Sequence, residues 1–286
     1  MAGIALTDAH GRFLDFLKNN KRASATILAY GKDISQIVDF LAERAKRQTE
    51  EVTQQDLESF LTKLTREGYT AKSVSRKINS LKTFFKFLKD QGLMDNNPAT
   101  QITHPKFEAK PPRILTKMEY RALRDACRHD TRMSAVVETL LQTGIRIGEL
   151  AALEVGSIQD STLVVPAIEG HPSRTIPLNK AVKQALDKYL GQRPNGDSNM
   201  LCVTKNGRPL LIRNIRTAID RYFRIAGIKE AKVNDLRHTW VAHHLMGGTS
   251  LVVVSKLAGH KRLSTTERYL DLIKENTEEK VKLEEL

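Results

Sequence analysis

Two arginines, a histidine and a tyrosine stand out by type, order and spacing. Arg146 lies in Thr143-Gly-Ile-Arg-Ile-Gly-Glu-Leu150. Arg237 lies in Val233-Asn-Asp-Leu-Arg-His-Thr-Trp240, and His260 and Tyr269 follow in Leu257-Ala-Gly-His-Lys-Arg-Leu-Ser-Thr-Thr-Glu-Arg-Tyr269. Two guanidinium forks match the non-bridging oxygens of a phosphodiester and never lose their charge. A tyrosine beside them has the chemistry to attack that phosphate as a covalent nucleophile. The glycine turn before Arg146 delivers it at a helix start, where backbone N–H groups also favour anions. Glu149, three residues on, is within reach to hold the guanidinium. Each signal is weak alone. Arg146 and Glu149 also read as an ordinary ion pair, and a tyrosine on an apolar face is usually core with a satisfied hydroxyl.

Their conjunction, with Gly259-His260, Ser264-Thr-Thr266 and Tyr269 at these intervals, resembles the tyrosine recombinase (integrase) family, Xer-like members included. The resemblance implies catalytic roles for Arg146, Arg237 and His260, a supporting role for Glu149, and Tyr269 as nucleophile. It implies a 3′-phosphotyrosine intermediate formed without metal, ATP or any other cofactor, and makes His238 structural more than catalytic. Two positions depart from the family pattern. Asn234 stands where a histidine is usual, and counting back from Ile176-Pro177 puts Glu169 where a β-hairpin lysine usually protonates the leaving 5′ oxygen. Asparagine donates a hydrogen bond but cannot shuttle a proton. An ionised glutamate is a poor acid and repels phosphate. His171, Arg174 and Lys205 remain as replacements, with nothing in the sequence to choose among them.

The implied fold has two domains: an all-α N-terminal core-binding (SAM-like) domain at 1–97, and a mixed α+β, mainly helical catalytic domain at 114–286. A linker at 98–113 joins them, a small antiparallel sheet belongs to the second, and a C-terminal exchange helix is expected at about 275–286. The implied partners are double-stranded DNA with an inverted-repeat core site and three further copies of the chain, a homo-tetramer held through that helix. The implied activity is site-specific recombination, for integration and excision or for resolving a mobile element or replicon dimer. The length implies a simple recombinase without an added arm-binding domain. Two rivals stand beside it: a catalytically impaired DNA-binding accessory protein, and a type IB topoisomerase-like relaxase.

The elements that must position these residues are legible from periodicity. Phe13, Phe16 and Leu17, then Ile34, Ile37, Val38 and Leu41, then Leu57, Phe60, Leu61 and Leu64 fall at helical spacing. From Lys72 to Lys89, Val74, Ile78, Leu81, Phe84, Phe85 and Leu88 make an apolar face. Lys72, Arg76, Lys77, Lys82 and Lys86 fill the rest, with no acid before Asp90, which predicts a DNA-backbone contact. Prolines 98, 105, 111 and 112 mark the linker, and Thr116-Lys-Met-Glu119 is a capping box that opens a new domain. Thr162–Val165 and Thr175–Pro177 read as strands either side of a turn, and helices are expected at 180–190, 213–226, 236–246 and 251–257. Trp240 reads as core.

Composition sets the outer limits. The chain has 286 residues and a net charge of +13, which favours a polyanionic partner through counterion release. Cys127 and Cys202 are isolated, and His243 and His244 have no metal-ligand spacing, so no metal site is expected. No signal peptide or spanning segment is read, which predicts a cytoplasmic protein without a membrane partner.

Overall fold

Amphipathic periodicity builds four helices from the first ninety residues: α1 (Leu6–Asn19), α2 (Ser24–Ala42), α3 (Gln54–Arg66) and α4 (Ala71–Asp90). The computed structural model describes residues 3–108, 111–168 and 170–274. Glu169 and the expected exchange helix at 275–286 lie outside the described residues. The chain forms two units, Met1–Ala109 and Lys110–Leu286.

In the first unit the helices close around Phe13, Leu17, Ile34, Ile37, Leu57, Phe60, Ile78, Leu81, Phe84 and Phe85. Phe13 meets Phe84 edge to face with ring centroids 5.2 Å apart. Thr53 caps α3, its hydroxyl accepting from the Asp56 N–H at 3.3 Å. The same core takes in Met94, Ala99 and Ile102. The first part of the proline-rich segment therefore packs on the helical unit instead of running free, a difference that sparse apolar residues could not announce.

The second unit opens with the Thr116–Glu119 capping box and α5 (Lys117–Ala126), followed by α6 (Thr131–Thr143) and α7 (Ile147–Ala151). Strands β1 (Ile158–Gln159), β2 (Thr162–Val165) and β3 (Arg174–Pro177) form an antiparallel sheet in that order. Its register pairs Leu163 with Ile176 and Val165 with Arg174. Two strands were expected; β1 is the third, and two residues are too few to show a pattern. Helices α8 (Lys180–Leu190), α9 (Ile212–Ile225), α10 (Val233–Met246), α11 (Leu251–Ala258) and α12 (Ser264–Lys274) complete the unit. α10 starts three residues earlier than its apolar pattern suggests, because Asp235 accepts from the Lys232 N–H at 2.8 Å and closes the first turn.

The main core of this unit includes Leu123, Val136, Leu140, Leu163, Ile176, Leu186, Ile219 and Leu236. A smaller cluster holds Trp240, Val241, Val254, Ala258 and Tyr269. Among the described residues no helix is long and apolar enough to cross a membrane.

Candidate active site

Arg146 reaches its place through two local devices. Gly144 ends α6 in the left-handed region, at φ +62°, and Arg146 then caps α7 with extended backbone. An added Cβ at Gly144 would lie 2.4 Å from Trp240 Cε3, so both conformation and space demand glycine. The Arg146 N–H donates to Glu149 Oε2 at 2.7 Å, and its Nη1 donates to Oε1 at 3.1 Å. Nη2 donates to the Gly259 carbonyl at 3.0 Å.

Glu149 is buried and serves a second arginine. Arg174, at the start of β3, grips it with both ends of its fork, at 2.9 and 2.8 Å, while its Nε donates to the Leu257 carbonyl at 2.7 Å. Burial opposes charge on Glu149. Hydrogen bonds from Arg174 and from the Arg146 N–H, with both positive charges, outweigh burial and hold the carboxyl at about 2. Arg174 is thus committed to a buried bidentate pair. That removes it from the three replacements considered for the missing lysine.

Arg237 lies on α10 and is 7% exposed. Its Nη1 donates to the Gly144 carbonyl at 2.5 Å, so the glycine turn positions both arginines. Its Nη2 is buried and has no hydrogen-bond partner among the described residues. Burial, then the charge of Arg146, lowers this guanidinium to about 10, so it stays charged at neutral pH.

His260 follows Gly259, which takes φ +67° at the end of α11. Its Nδ1 pairs with the Thr266 hydroxyl at 2.7 Å, leaving Nε2 as the ring nitrogen available to the cleft. Burial, then the charges of Arg237, Arg146 and Arg174, lowers its pKa to about 4, and the ring is neutral at pH 7. Tyr269, on α12, is 4% exposed and packs in the Trp240 cluster. Burial raises its pKa, with Arg237 and Arg268 pulling the other way. Its hydroxyl is bonded to His238 Nδ1 at 2.6 Å.

Arg146, Glu149, Asn234, Arg237, His260 and Tyr269 line one open cleft, joined by His171, Arg216, His238 and Thr265. Glu169 lies outside the described residues. Of the other two replacements, His171 lines the cleft with a buried Nδ1 that has no partner among the described residues, whereas Lys205 is exposed and absent from the lining. Burial, then the charges of Arg146 and Lys261, lowers the His171 pKa. Sequence reasoning missed the contact of His238 with Tyr269 and the place of Arg216. Adjacency to Arg237 was the available signal for His238; Arg216 left none. Among the described residues no cluster of His, Cys, Asp or Glu is placed to hold a metal ion.

On α4 the expected basic face needs correction at Lys77. That residue is 4% exposed, and its ammonium donates to Asp33 at 2.8 Å and Gln36 at 2.6 Å. Arg76 also pairs with Asp33. The neutralising acid comes from α2, which a scan of α4 alone could not show. Lys86 pairs with Asp90 at 2.9 Å on the surface. Lys72 is exposed and Lys82 half-buried.

Residues 113–276 match the phage integrase family, and residues 11–92 match the phage integrase N-terminal SAM-like domain. The chain belongs to the phage integrase family, as a tyrosine recombinase of Xer-like type. It is 32% identical over 270 residues to tyrosine recombinase XerC of Staphylococcus epidermidis, covering 90% of each chain. To tyrosine recombinase XerC of Staphylococcus haemolyticus it is 33% identical over 267 residues, again covering 90% of each. The crystal structure of XerA recombinase matches with a TM-score of 0.54 and 26% identity, covering 92% of this chain and 93% of that one. A lambda integrase dimer bound to a COC′ core site shares the fold, with a TM-score of 0.80, 19% identity and coverage of 99% and 81%. A lambda integrase tetramer bound to a Holliday junction also shares it, with a TM-score of 0.75, 21% identity and coverage of 91% and 78%. The activity is site-specific DNA recombination; these likenesses favour neither an accessory protein nor a relaxase.

Proposed function

We propose that this recombinase cuts and rejoins double-stranded DNA through a covalent 3′-phosphotyrosine at Tyr269. The observation that carries the reading is one cleft holding two arginines, a neutral histidine and a buried tyrosine hydroxyl. Arg146 and Arg237 clamp the non-bridging oxygens, and the Nη2 of Arg237, without a partner among the described residues, supplies a preorganised donor. His260 donates from Nε2 while Thr266 fixes its tautomer. Asn234 adds a hydrogen bond but no proton.

The departing 5′ oxygen needs a proton, and His171 is the replacement that lines the cleft. A phosphate bound beside it raises its proton affinity again. Strand exchange joins two duplexes and four active sites, so we read the working assembly as a cytoplasmic homo-tetramer on an inverted-repeat core site, serving a mobile element or resolving a replicon dimer. Residues 275–286 are the segment assigned to linking its protomers, and residues 98–113 the passage between domains.

The test uses a supercoiled plasmid carrying the DNA that flanks the gene, incubated in EDTA and quenched with SDS. Protein is expected on 3′ ends in wild type and absent in Tyr269→Phe. An adduct that survives Tyr269→Phe, or tight binding without any adduct, refutes the assignment. Sequencing the adduct ends maps the cleavage site.

A further inference from the structure

We propose that His238 is the base that removes the phenolic proton of Tyr269. The proposal rests on the reading of Tyr269 as nucleophile. A phenol at its ordinary pKa of about 10 is roughly one part in a thousand phenolate at pH 7, and burial makes Tyr269 harder to ionise. An acceptor on the hydroxyl is therefore needed. His238 Nδ1 stands 2.6 Å from it, within the range of a short hydrogen bond.

The other groups around the cleft are unsuited by type or engaged elsewhere, His171 by its assignment to the departing 5′ oxygen. Arg146 and Arg237 are cations without a lone pair. Both carboxylate oxygens of Glu149 are taken by Arg146 and Arg174. His260 stacks on Tyr269 with centroids 6.5 Å apart, and its Nδ1 is held by Thr266. Burial lowers His238 below the ordinary histidine value, which leaves its lone pair free at pH 7. Asp235, Arg237 and Arg268 act on it, Asp235 opposing that shift and the two arginines adding to it, and Tyr269 and His260 are further titratable neighbours.

The step balances. The proton passes from Tyr269 Oη to His238 Nδ1 as the Oη–phosphorus bond forms. The bond from phosphorus to the 5′ oxygen breaks, and that oxygen leaves with the electron pair and the proton of His171. In religation the incoming 5′ hydroxyl returns a proton to His171, and His238 returns one to Tyr269. No net proton, oxidant or cofactor is consumed.

The test isolates the acceptor. A duplex carrying the mapped cleavage site receives a sulfur in place of the bridging 5′ oxygen, because a departing thiolate needs no proton. Single-turnover adduct formation is followed from pH 5 to pH 9. Wild type should rise about tenfold per pH unit through a pKa below 6.5 and then level off. His238→Gln keeps a hydrogen bond but cannot take a proton; it should react at least about 100-fold more slowly at pH 7 and keep rising across the range. Placing 3-fluorotyrosine, a more acidic phenol, at position 269 should restore much of that loss. A His238→Gln profile identical to wild type overturns the proposal. Should that variant fail to bind the duplex, a wild-type rate that climbs without a plateau overturns it instead. Absence of any wild-type adduct would count against Tyr269 itself, a separate failure.

Discussion

Glu149 sits between two guanidiniums with different duties: Arg146 opens on the cleft, and Arg174 is sealed behind it. Its folded pKa, about 2, lies below the ordinary 4.5. The stabilisation this represents is fully present above pH 4.5 and is lost as pH falls towards 2. Its size is roughly 3 kcal/mol. Glu149→Gln should lower stability by about that amount at pH 7, read by urea unfolding, and the gap to wild type should close as the solution is acidified. Equal destabilisation at pH 7 and pH 2.5 would contradict the assignment. Arg174 illustrates what residue type alone conceals, since the same guanidinium suits a phosphate clamp or a buried prop. Only its partners tell which it is.

Two helix ends do much of the positioning. At Gly259 an added Cβ would lie 2.8 Å from Arg174 Nη1 and 2.9 Å from its Cζ, in a backbone at φ +67°. Gly259→Ala therefore has a left-handed penalty of about 1 kcal/mol and displaces the fork that holds Glu149. Its adduct formation should fall by more than tenfold while the affinity for DNA changes little; a wild-type cleavage rate would show that the fork relaxes harmlessly. In the first unit, α2 and α4 are tied by Asp33, which is 1% exposed and accepts from Lys77 and Ser80. Asp33→Ala would strand a buried ammonium, at a cost of about 3–5 kcal/mol. Thermal unfolding of the variant should show it, and an unchanged melting temperature would mean that Lys77 escapes to solvent.

At the scale of the whole molecule, a net charge of +13 predicts DNA affinity that falls steeply with salt. Lys72 and Lys77 lie on the same helix and should behave differently. Lys72→Ala, at an exposed position, should lower the slope of log affinity against log salt by about 1 if it meets a phosphate. Lys77→Ala should instead reduce stability, because its charge is spent inside the unit. Filter binding at several salt concentrations separates the two. An unchanged slope for Lys72→Ala would remove that residue from the DNA face.

What the sequence determined by itself is local in origin. Helices α1 to α4, the Thr116 cap and the order of Arg146, Arg237, His260 and Tyr269 follow from periodicities and spacings within one stretch of chain. These repeat with the pitch of a helix, so they survive in a linear reading. The tertiary structure decided the pairings. Glu149 meets Arg174, His238 meets Tyr269, and Asp33 meets Lys77, at separations of 25, 31 and 44 residues. A hydrogen bond between distant residues imposes no period on either stretch, and side chains of the same type serve as surface charge, buried prop or reactive group according to what packs against them. The partners of Arg174, His238 and Lys77 therefore emerged only when the faces of their elements were brought together.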